Sequence, residues 1–384
     1  MRVPCDRNAY YIEAKPRAAS IRRILRSDRT TEPRLVSAGR TGTGRYFIEA
    51  RRISGTSRGP SPAAQRPVTA LASLRFAVVG AGKLGCSLAL ALRARGADLV
   101  GFSARTRIGR AKAEAYLGGR AAANIRELVS RSPVLFIIAV PDDALTRVAD
   151  ELGRELRPGS TPTGPVVAHT SGAASVAVLS PCMQAGAATL VFHPLQTFTD
   201  PNSGSARFEG SAIAITPSLP GALSPAAKLG FALADGLGAR PFLLPDEKRV
   251  LYHAAATFAS NYLVALEYHA ERLFVAAGLP PQRALPLFLP LVRATLDNIA
   301  AQGTIEALTG PLSRGDGRTI VAHIRALRED APDLVDLYKL LGLATLDLIR
   351  AKRELGAATV SQLAELLGDP NLPSAAESDR QGAS

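Results

Sequence analysis

From Arg75 onward, short apolar runs alternate with segments of helical period: Phe76–Val79, Leu99–Phe102, Val134–Val140, Val166–His169, Leu190–Phe192 and Ala212–Thr216. Runs this short, bounded by turn residues, read as buried strands. Between them lie helices such as Leu84–Arg95, where Leu84, Leu88 and Leu92 share one face and Gly96 supplies a stop. Strand and helix in strict alternation predict an α/β Rossmann-type fold, a mostly parallel sheet with helices on both faces. After Pro245 the strands cease. Asp246–Ala277, Pro281–Gln302 and Pro332–Leu355 read as long helices, punctuated by Gly278-Leu-Pro-Pro281 and by a loop around Gly310–Gly317. The pattern therefore divides the chain into an α/β domain over 72–245, an all-helical C-terminal domain over 246–368 and a polar tail over 369–384.

Residues 1–70 show no sustained period and end in the linker-like stretch Gly55–Pro67. They also dominate the charge: the net +13 includes 15 basic and five acidic residues in this segment, which leaves +3 for the remaining 314 residues. A near-neutral body lacks the basic footprint of a nucleic-acid groove, and the segment lacks the interleaved aromatics that stack bases. No nucleic-acid partner is expected. Only seven of the 46 basic residues are lysine, a bias that with the abundant alanine points to GC-rich coding, so a single arginine proves little. The segment reads as upstream sequence joined through a misplaced start, as a disordered extension or as a transit peptide. Met183 is the only methionine after Met1, so a later start would use another codon, with Val68 well placed.

Cys5, Cys86 and Cys182 are odd in number and far apart, which supports neither a disulfide framework nor a zinc knuckle. No stretch reaches about 18 consecutive apolar residues, so no membrane span is expected, and the reducing cytoplasm is the expected compartment.

The first strand runs into a G-x-G-x-x-G turn, Gly80-Ala81-Gly82-Lys83-Leu84-Gly85, and then into a helix. That order suits a dinucleotide: the first glycine makes the turn, the second admits the pyrophosphate to the backbone, and the third allows close helix–strand packing. The helix N-terminus adds N–H donors and partial positive charge. Gly80 and Gly85 also satisfy a P-loop spacing, but Cys86 stands where that motif needs lysine. At the end of the second strand, NAD sites carry an acid for the ribose hydroxyls. Here the chain reads Ser103-Ala104-Arg105-Thr106-Arg107, a hydroxyl and guanidinium set that suits a 2′-phosphate. NADP is expected in preference to NAD.

Five ordered motifs carry a family resemblance: Gly80–Gly85, Ile138-Ala-Val-Pro-Asp-Asp143, His169-Thr-Ser-Gly172, His193-Pro-Leu-Gln-Thr-Phe198, and Tyr252-His-Ala-Ala-Ala256 with Ser260-Asn261. Over roughly residues 74–355 the chain resembles the Rossmann-like proteins whose C-terminal part is the domain of unknown function 2520, with a family boundary near 193. These look like cousins of pyrroline-carboxylate reductase, the 6-phosphogluconate dehydrogenase superfamily and the F420-dependent NADP reductases. The resemblance implies a Rossmann domain, NADP and a helical domain of the 6-phosphogluconate dehydrogenase C-terminal-like type that makes a homodimer. It names no substrate. It also implies that Val140, Pro141 and Asp142 lie on the nicotinamide side, although Asp142 or Asp143 can equally cap the following helix.

His169 and Ser171 end the next strand at the carboxyl edge, where open α/β sheets bind ligands, which makes Ser171 a substrate-side candidate. A nucleophile elbow is excluded because residues 169 and 173 are His and Ala rather than Gly. The five histidines, at 169, 193, 253, 269 and 323, form no metal-binding spacing. On a helix continuing from Asp246, His253, Thr257, Ser260 and Asn261 fall within about 100° of one another, opposite Ala255, Ala259, Leu263 and Leu266. Small neutral donors with one histidine suggest a cleft, while Glu267 and Glu271 extend the stripe as surface. Related dehydrogenases pair a lysine with an asparagine four residues on; here Tyr252 follows Lys248 at that spacing. The proton-transfer role therefore falls to His253, with Asn261 and Thr257 orienting the substrate and His193 as the competing histidine. Thr309, Gly310, Arg314 and Thr319 resemble a substrate-carboxylate loop at a helix mouth; a plain connection capped by Thr319 fits as well.

Together these readings predict hydride transfer between NADP(H) and a small carbonyl or imino compound bearing a carboxylate. The alternatives are a catalytically idle NADP-binding sensor or partner-binding protein, and a nucleic-acid-tethered protein using the basic segment.

Overall fold

The computed structural model describes residues 35–40, 46–51, 71–156, 164–219 and 224–368, the first two stretches as backbone alone. The rest of the 1–70 segment and the 369–384 tail lie outside the described residues. The chain divides into two compact units, Met1–Pro67 and Val68–Ser384.

In the first unit, β1 (Leu35–Arg40) pairs antiparallel with β2 (Tyr46–Arg51). The reading of 1–70 as a segment without periodic structure omitted this hairpin, whose second strand opens on the strand-favouring run Tyr46-Phe-Ile48.

The second unit opens with β3 (Arg75–Val79), α1 (Lys83–Arg93), β4 (Asp98–Ser103), α2 (Arg107–Leu117), α3 (Ile125–Ser130), β5 (Leu135–Ile138) and α4 (Asp142–Glu155). There follow β6 (Val166–His169), α5 (Ser180–Gln184), β7 (Ala188–Pro194), α6 (Pro201–Ala206), β8 (Ala212–Pro217), α7 (Pro225–Gly236) and β9 (Arg240–Leu243). The seven strands lie in the order β4-β3-β5-β6-β7-β8-β9. All neighbours are parallel except β7 and β8, which run antiparallel. The chain goes from β3 to β4 on one side and then crosses to β5 on the other, so the topological switch point lies between the carboxyl ends of β3 and β5.

Strand alternation builds a core on each face of the sheet. Phe76, Val78, Leu135 and Ile137 join Leu88, Leu92, Phe192 and Phe208 on one side. Ala77, Val79, Phe136 and Ile138 join Leu145, Val148 and Leu152 on the other. Each fully buried large apolar side chain contributes roughly 1.5–3 kcal/mol.

The helical part comprises α8 (Arg249–Ala259), α9 (Asn261–Ala276), α10 (Pro281–Gln302), α11 (Gly317–Asp330), α12 (Val335–Lys352) and α13 (Ala357–Gly368). The single helix expected over Asp246–Ala277 is broken at Ser260, whose φ of −125° and ψ of −64° leave the helical region. Serine and asparagine favour helix ends over helix interiors, which accounts for a break at Ser260-Asn261. Helices α11–α13 enclose their own core of Ile320, Ile324, Leu346, Ile349, Leu363 and Leu367. Helices α8–α10 bury almost nothing apolar: Ala284 and Phe288 are the exceptions among the described residues. By length and mean hydropathy (1.2) alone, α10 is long and apolar enough to cross a membrane, although it contains no run of 18 apolar residues. The expectation rested on uninterrupted apolar runs, whereas an 18-residue window of α10 tolerates two charges, Arg293 and Asp297.

Candidate functional site

The glycine turn sits at the switch point. Gly80 has φ +96°, and a Cβ there would lie 2.6 Å from both the Ala139 oxygen and Val140 Cγ1, so the turn is seated against the end of β5. The Gly80 and Ala81 amides both donate to the Ser103 carbonyl at 3.0 Å, which ties the turn to the end of β4. A Cβ on Gly85 would overlap the Gly80 oxygen, whereas one on Gly82 would meet nothing within 4 Å. Gly80 and Gly85 are thus fixed by packing, and Gly82 faces open space. Gly82 and Lys83 are exposed, Leu84 is half-buried, and no side chain caps α1. An uncapped helix N-terminus above an open backbone cradle fits a pyrophosphate.

Of the residues expected at the ribose end, Ser103 is half-buried and Arg105 is exposed, with no ion pair among the described residues. Thr106 has a structural duty as well: its Oγ1 accepts from the Gly109 amide at 3.0 Å and caps α2. Pro141 is the N-cap of α4, with Asp142 and Asp143 in its first turn, where neither side chain caps. Val140 stays beside the glycine turn.

A second cluster lies at the carboxyl ends of β6 and β7. His193 Nδ1 is 2.9 Å from the Tyr252 hydroxyl, and the His193 and His253 rings are 6.2 Å apart edge to face. Gly172 is wedged between them: a Cβ there would overlap His253 Cδ2 and lie 2.9 Å from His193 Nε2. Burial, with Arg249 and His253 beside it, lowers the His193 pKa to about 4, and burial raises Tyr252 to about 12. Ser171 Oγ accepts from the Ala174 amide, so this hydroxyl helps hold its own turn.

The turn after β6 is held from the helical part. Arg249, fully buried, donates to the carbonyls of Ser171 (2.5 Å), Gly172 (2.9 Å) and Ala174 (2.8 Å) and to Thr216 Oγ1 (3.1 Å). Asp246 accepts from the Ser175 hydroxyl (2.5 Å) and the Val176 amide (2.9 Å). Sequence reasoning missed both residues. The one faint signal was the spacing of Arg249, which stands four positions before His253 and so shares its face, without any sign of its partners.

Other candidates fall elsewhere. Thr257 Oγ1 donates to the His253 carbonyl at 3.2 Å. Asn261 is exposed and begins α9 beyond the break, so it does not continue the α8 face. The Thr319 amide and hydroxyl both donate to Asp316, which caps α11. A carboxylate already occupies that helix mouth, and the cap of this connection is Asp316 where Thr319 was expected; Thr309 is exposed, and Arg314 forms no ion pair among the described residues.

Comparison with known proteins agrees with this architecture. The Rossmann-like domain family matches residues 61–194, and the family described as domain of unknown function DUF2520 matches residues 219–345. No curated protein matches. Among solved structures, a Bacteroides fragilis protein named "putative NADP oxidoreductase" is 24% identical, with a TM-score of 0.59 over 74% of this chain and 100% of that one. A Thermotoga maritima protein of unstated function is also 24% identical (TM-score 0.51, 76% and 98% covered). The 1-pyrroline-5-carboxylate reductase of Streptococcus pyogenes is 16% identical (TM-score 0.50, 76% and 98% covered). The chain thus matches the Rossmann-like model followed by the DUF2520 model and shares the fold of these solved structures.

Proposed function

We propose that this Rossmann-like, DUF2520-bearing chain is an NADP-dependent oxidoreductase acting on a small carbonyl or imino compound. The observation that carries the reading is one of placement: an open, uncapped dinucleotide turn and a Gly172–His193–His253 cluster share the carboxyl edge of one sheet. NADPH, when bound, would supply the hydride, and the protein orients and protonates. Gly80–Gly85 would hold the pyrophosphate, Ser103 and Arg105 would meet the ribose 2′-phosphate, and Val140 would limit the nicotinamide side. Reduction of a carbonyl or imine leaves an electron pair on oxygen or nitrogen, and His253, half-buried over Gly172, delivers the proton. The direct test incubates the full chain with NADPH and small keto and imino acids, following loss of absorbance at the reduced nicotinamide band. Turnover supports the enzyme; tight binding without turnover across a broad panel favours an idle sensor.

NADPH is expected to bind more tightly than NADH, and Arg105→Ala to narrow the gap. A charge-assisted contact to the 2′-phosphate is worth roughly 1.5–3 kcal/mol, about ten- to a hundredfold in affinity. Fluorescence titration of both nucleotides measures it, and equal affinities in the unmodified protein would sink the assignment.

A second copy of the chain covers helices α8–α10 in this proposal. α8 turns Arg249, Tyr252 and His253 toward the sheet and leaves Leu251 (71%) and Phe258 (72%) exposed; Val264 on α9 and Leu291 on α10 are exposed as well, and large apolar side chains exposed on three successive helices support an interface. Light scattering is expected to give twice the 40.3 kDa chain mass, and Leu251→Glu with Phe258→Glu to halve it. A monomeric unmodified protein, or one that floats with lipid vesicles, would refute the dimer.

A further inference from the structure

The least economical feature of the site is Arg249. Its guanidinium is fully buried, yet no carboxylate bonds to it; its hydrogen bonds go to three backbone carbonyls and the Thr216 hydroxyl. Asp246 and Asp142 act on it only through charge, and burying a cation on neutral acceptors is costly where an apolar side chain would fill the volume more cheaply. What the guanidinium achieves is visible in what it touches. It reaches from the first turn of α8 to the Ser171-Gly172 and Ala174 carbonyls, and one turn later the same helix presents Tyr252 and His253. Asp246 grips the far end of the same turn through Ser175 and Val176. The helix carrying His253 and the turn carrying Gly172 are thereby locked as one piece.

We propose that Arg249 is the positioning residue of this site: it seats Gly172 against the His193 and His253 rings and stands as a fixed cation behind His193. His193 then meets Tyr252 as a neutral imidazole, and proton delivery is left to His253. Tyr252 and His253 contact His193 from α8, and Arg249 of the same helix acts on it through its charge, with Asp246 and Asp142 as the carboxylates that act on Arg249 in turn. The Arg249 charge disfavours a second cation at His193, in the same direction as burial. The proposal rests on the oxidoreductase reading for its kinetic consequence alone.

The test is the imidazole titration of isotopically labelled full-length protein by NMR, with His193 assigned by comparison with His193→Gln. In the unmodified protein His193 should stay neutral down to about pH 4. Arg249→Met should raise its titration by about one pH unit or more, and Arg249→Lys, which keeps the charge with fewer donors, should hold it near the original value. Where turnover is measurable, the acidic limb of the pH–rate profile should move up in Arg249→Met with NADPH affinity preserved. A lowered melting temperature with His193 titrating unchanged would reduce Arg249 to a structural role and overturn the proposal. If Arg249→Met does not fold, the unmodified protein still decides: His193 titrating above pH 6 refutes it. Failure to bind NADPH would sink the oxidoreductase reading and leave the titration result standing.

Discussion

Replacing His253 with alanine should lower turnover by about 10²–10⁴-fold, the usual contribution of a general acid, with little change in NADPH affinity. The two effects separate because the nucleotide turn is built on β3, β4 and β5, whereas His253 belongs to α8. Gly172→Ala should act in the same direction by a different route. The added methyl overlaps the His253 ring, so the imidazole must shift, and a displacement of about 1 Å can cost about a hundredfold. His193→Ala discriminates between the histidines: an effect larger than that of His253→Ala would move the proton to the His193–Phe198 segment. Steady-state rates with a fixed substrate and NADPH titrations measure all three variants. If none slows an established reaction by tenfold, well short of an acid–base contribution, the cluster is not the catalytic centre.

The sequence showed the nucleotide half of this site plainly because its chemistry is local. Strand, glycine turn and helix are contiguous, and Gly85 packs on Gly80 and Val78 within the same motif, although Gly80 itself is fixed by Ala139 and Val140 beyond β5. The strands that build the core were equally legible, since all are apolar and most are bounded by turn residues. β9 was not: Arg240-Pro-Phe-Leu243 is short, half-buried and contains proline, a pattern tolerated here because β9 lies at the sheet edge. The direction of β8 against β7 was also illegible, since a buried strand reads the same either way.

The substrate half was legible only in part. Helical periodicity correctly grouped His253 with Thr257 but carried the stripe through Ser260, where the helix breaks. It could not show that the apolar side of α8 is the exposed one, which inverts the usual expectation for a helix on a globular body. Arg249 was invisible for another reason. Its partners lie 33 to 78 positions away in sequence and are mostly backbone carbonyls, which leave no signature in residue type.

Stability should fall steeply as pH drops from about 6.5 to about 4, because two histidines are folded in the neutral form. His169 is fully buried; its Nδ1 accepts from the Ser171 amide at 3.2 Å, so Nε2 carries the hydrogen and donates to the Ser175 carbonyl at 3.3 Å. A proton added at Nδ1 would face an N–H and break that bond. Burial first, then the charge of Arg249, bring His169 down to about 4, and the same two causes with His253 bring His193 to about 4. With unfolded values near 6.5, the unfolded chain binds more protons than the folded one throughout this window, so stability increases with pH there. It is fully present above pH 6.5 and is lost as pH falls toward 4. Each group can remove roughly 3 kcal/mol, and two together approach the lower end of a typical domain's stability of about 5–15 kcal/mol. The loss precedes acid titration of Asp200, Asp316 and Asp333, whose hydrogen bonds hold their carboxyls below the usual range. Urea midpoints measured from pH 7 to 4.5 should therefore fall continuously, and His169→Asn should flatten the slope even if it lowers stability at pH 7. Midpoints constant down to pH 4.5 would mean that these imidazoles reach water, and that the turn after β6 is not held as closed as Arg249 and Asp246 hold it here.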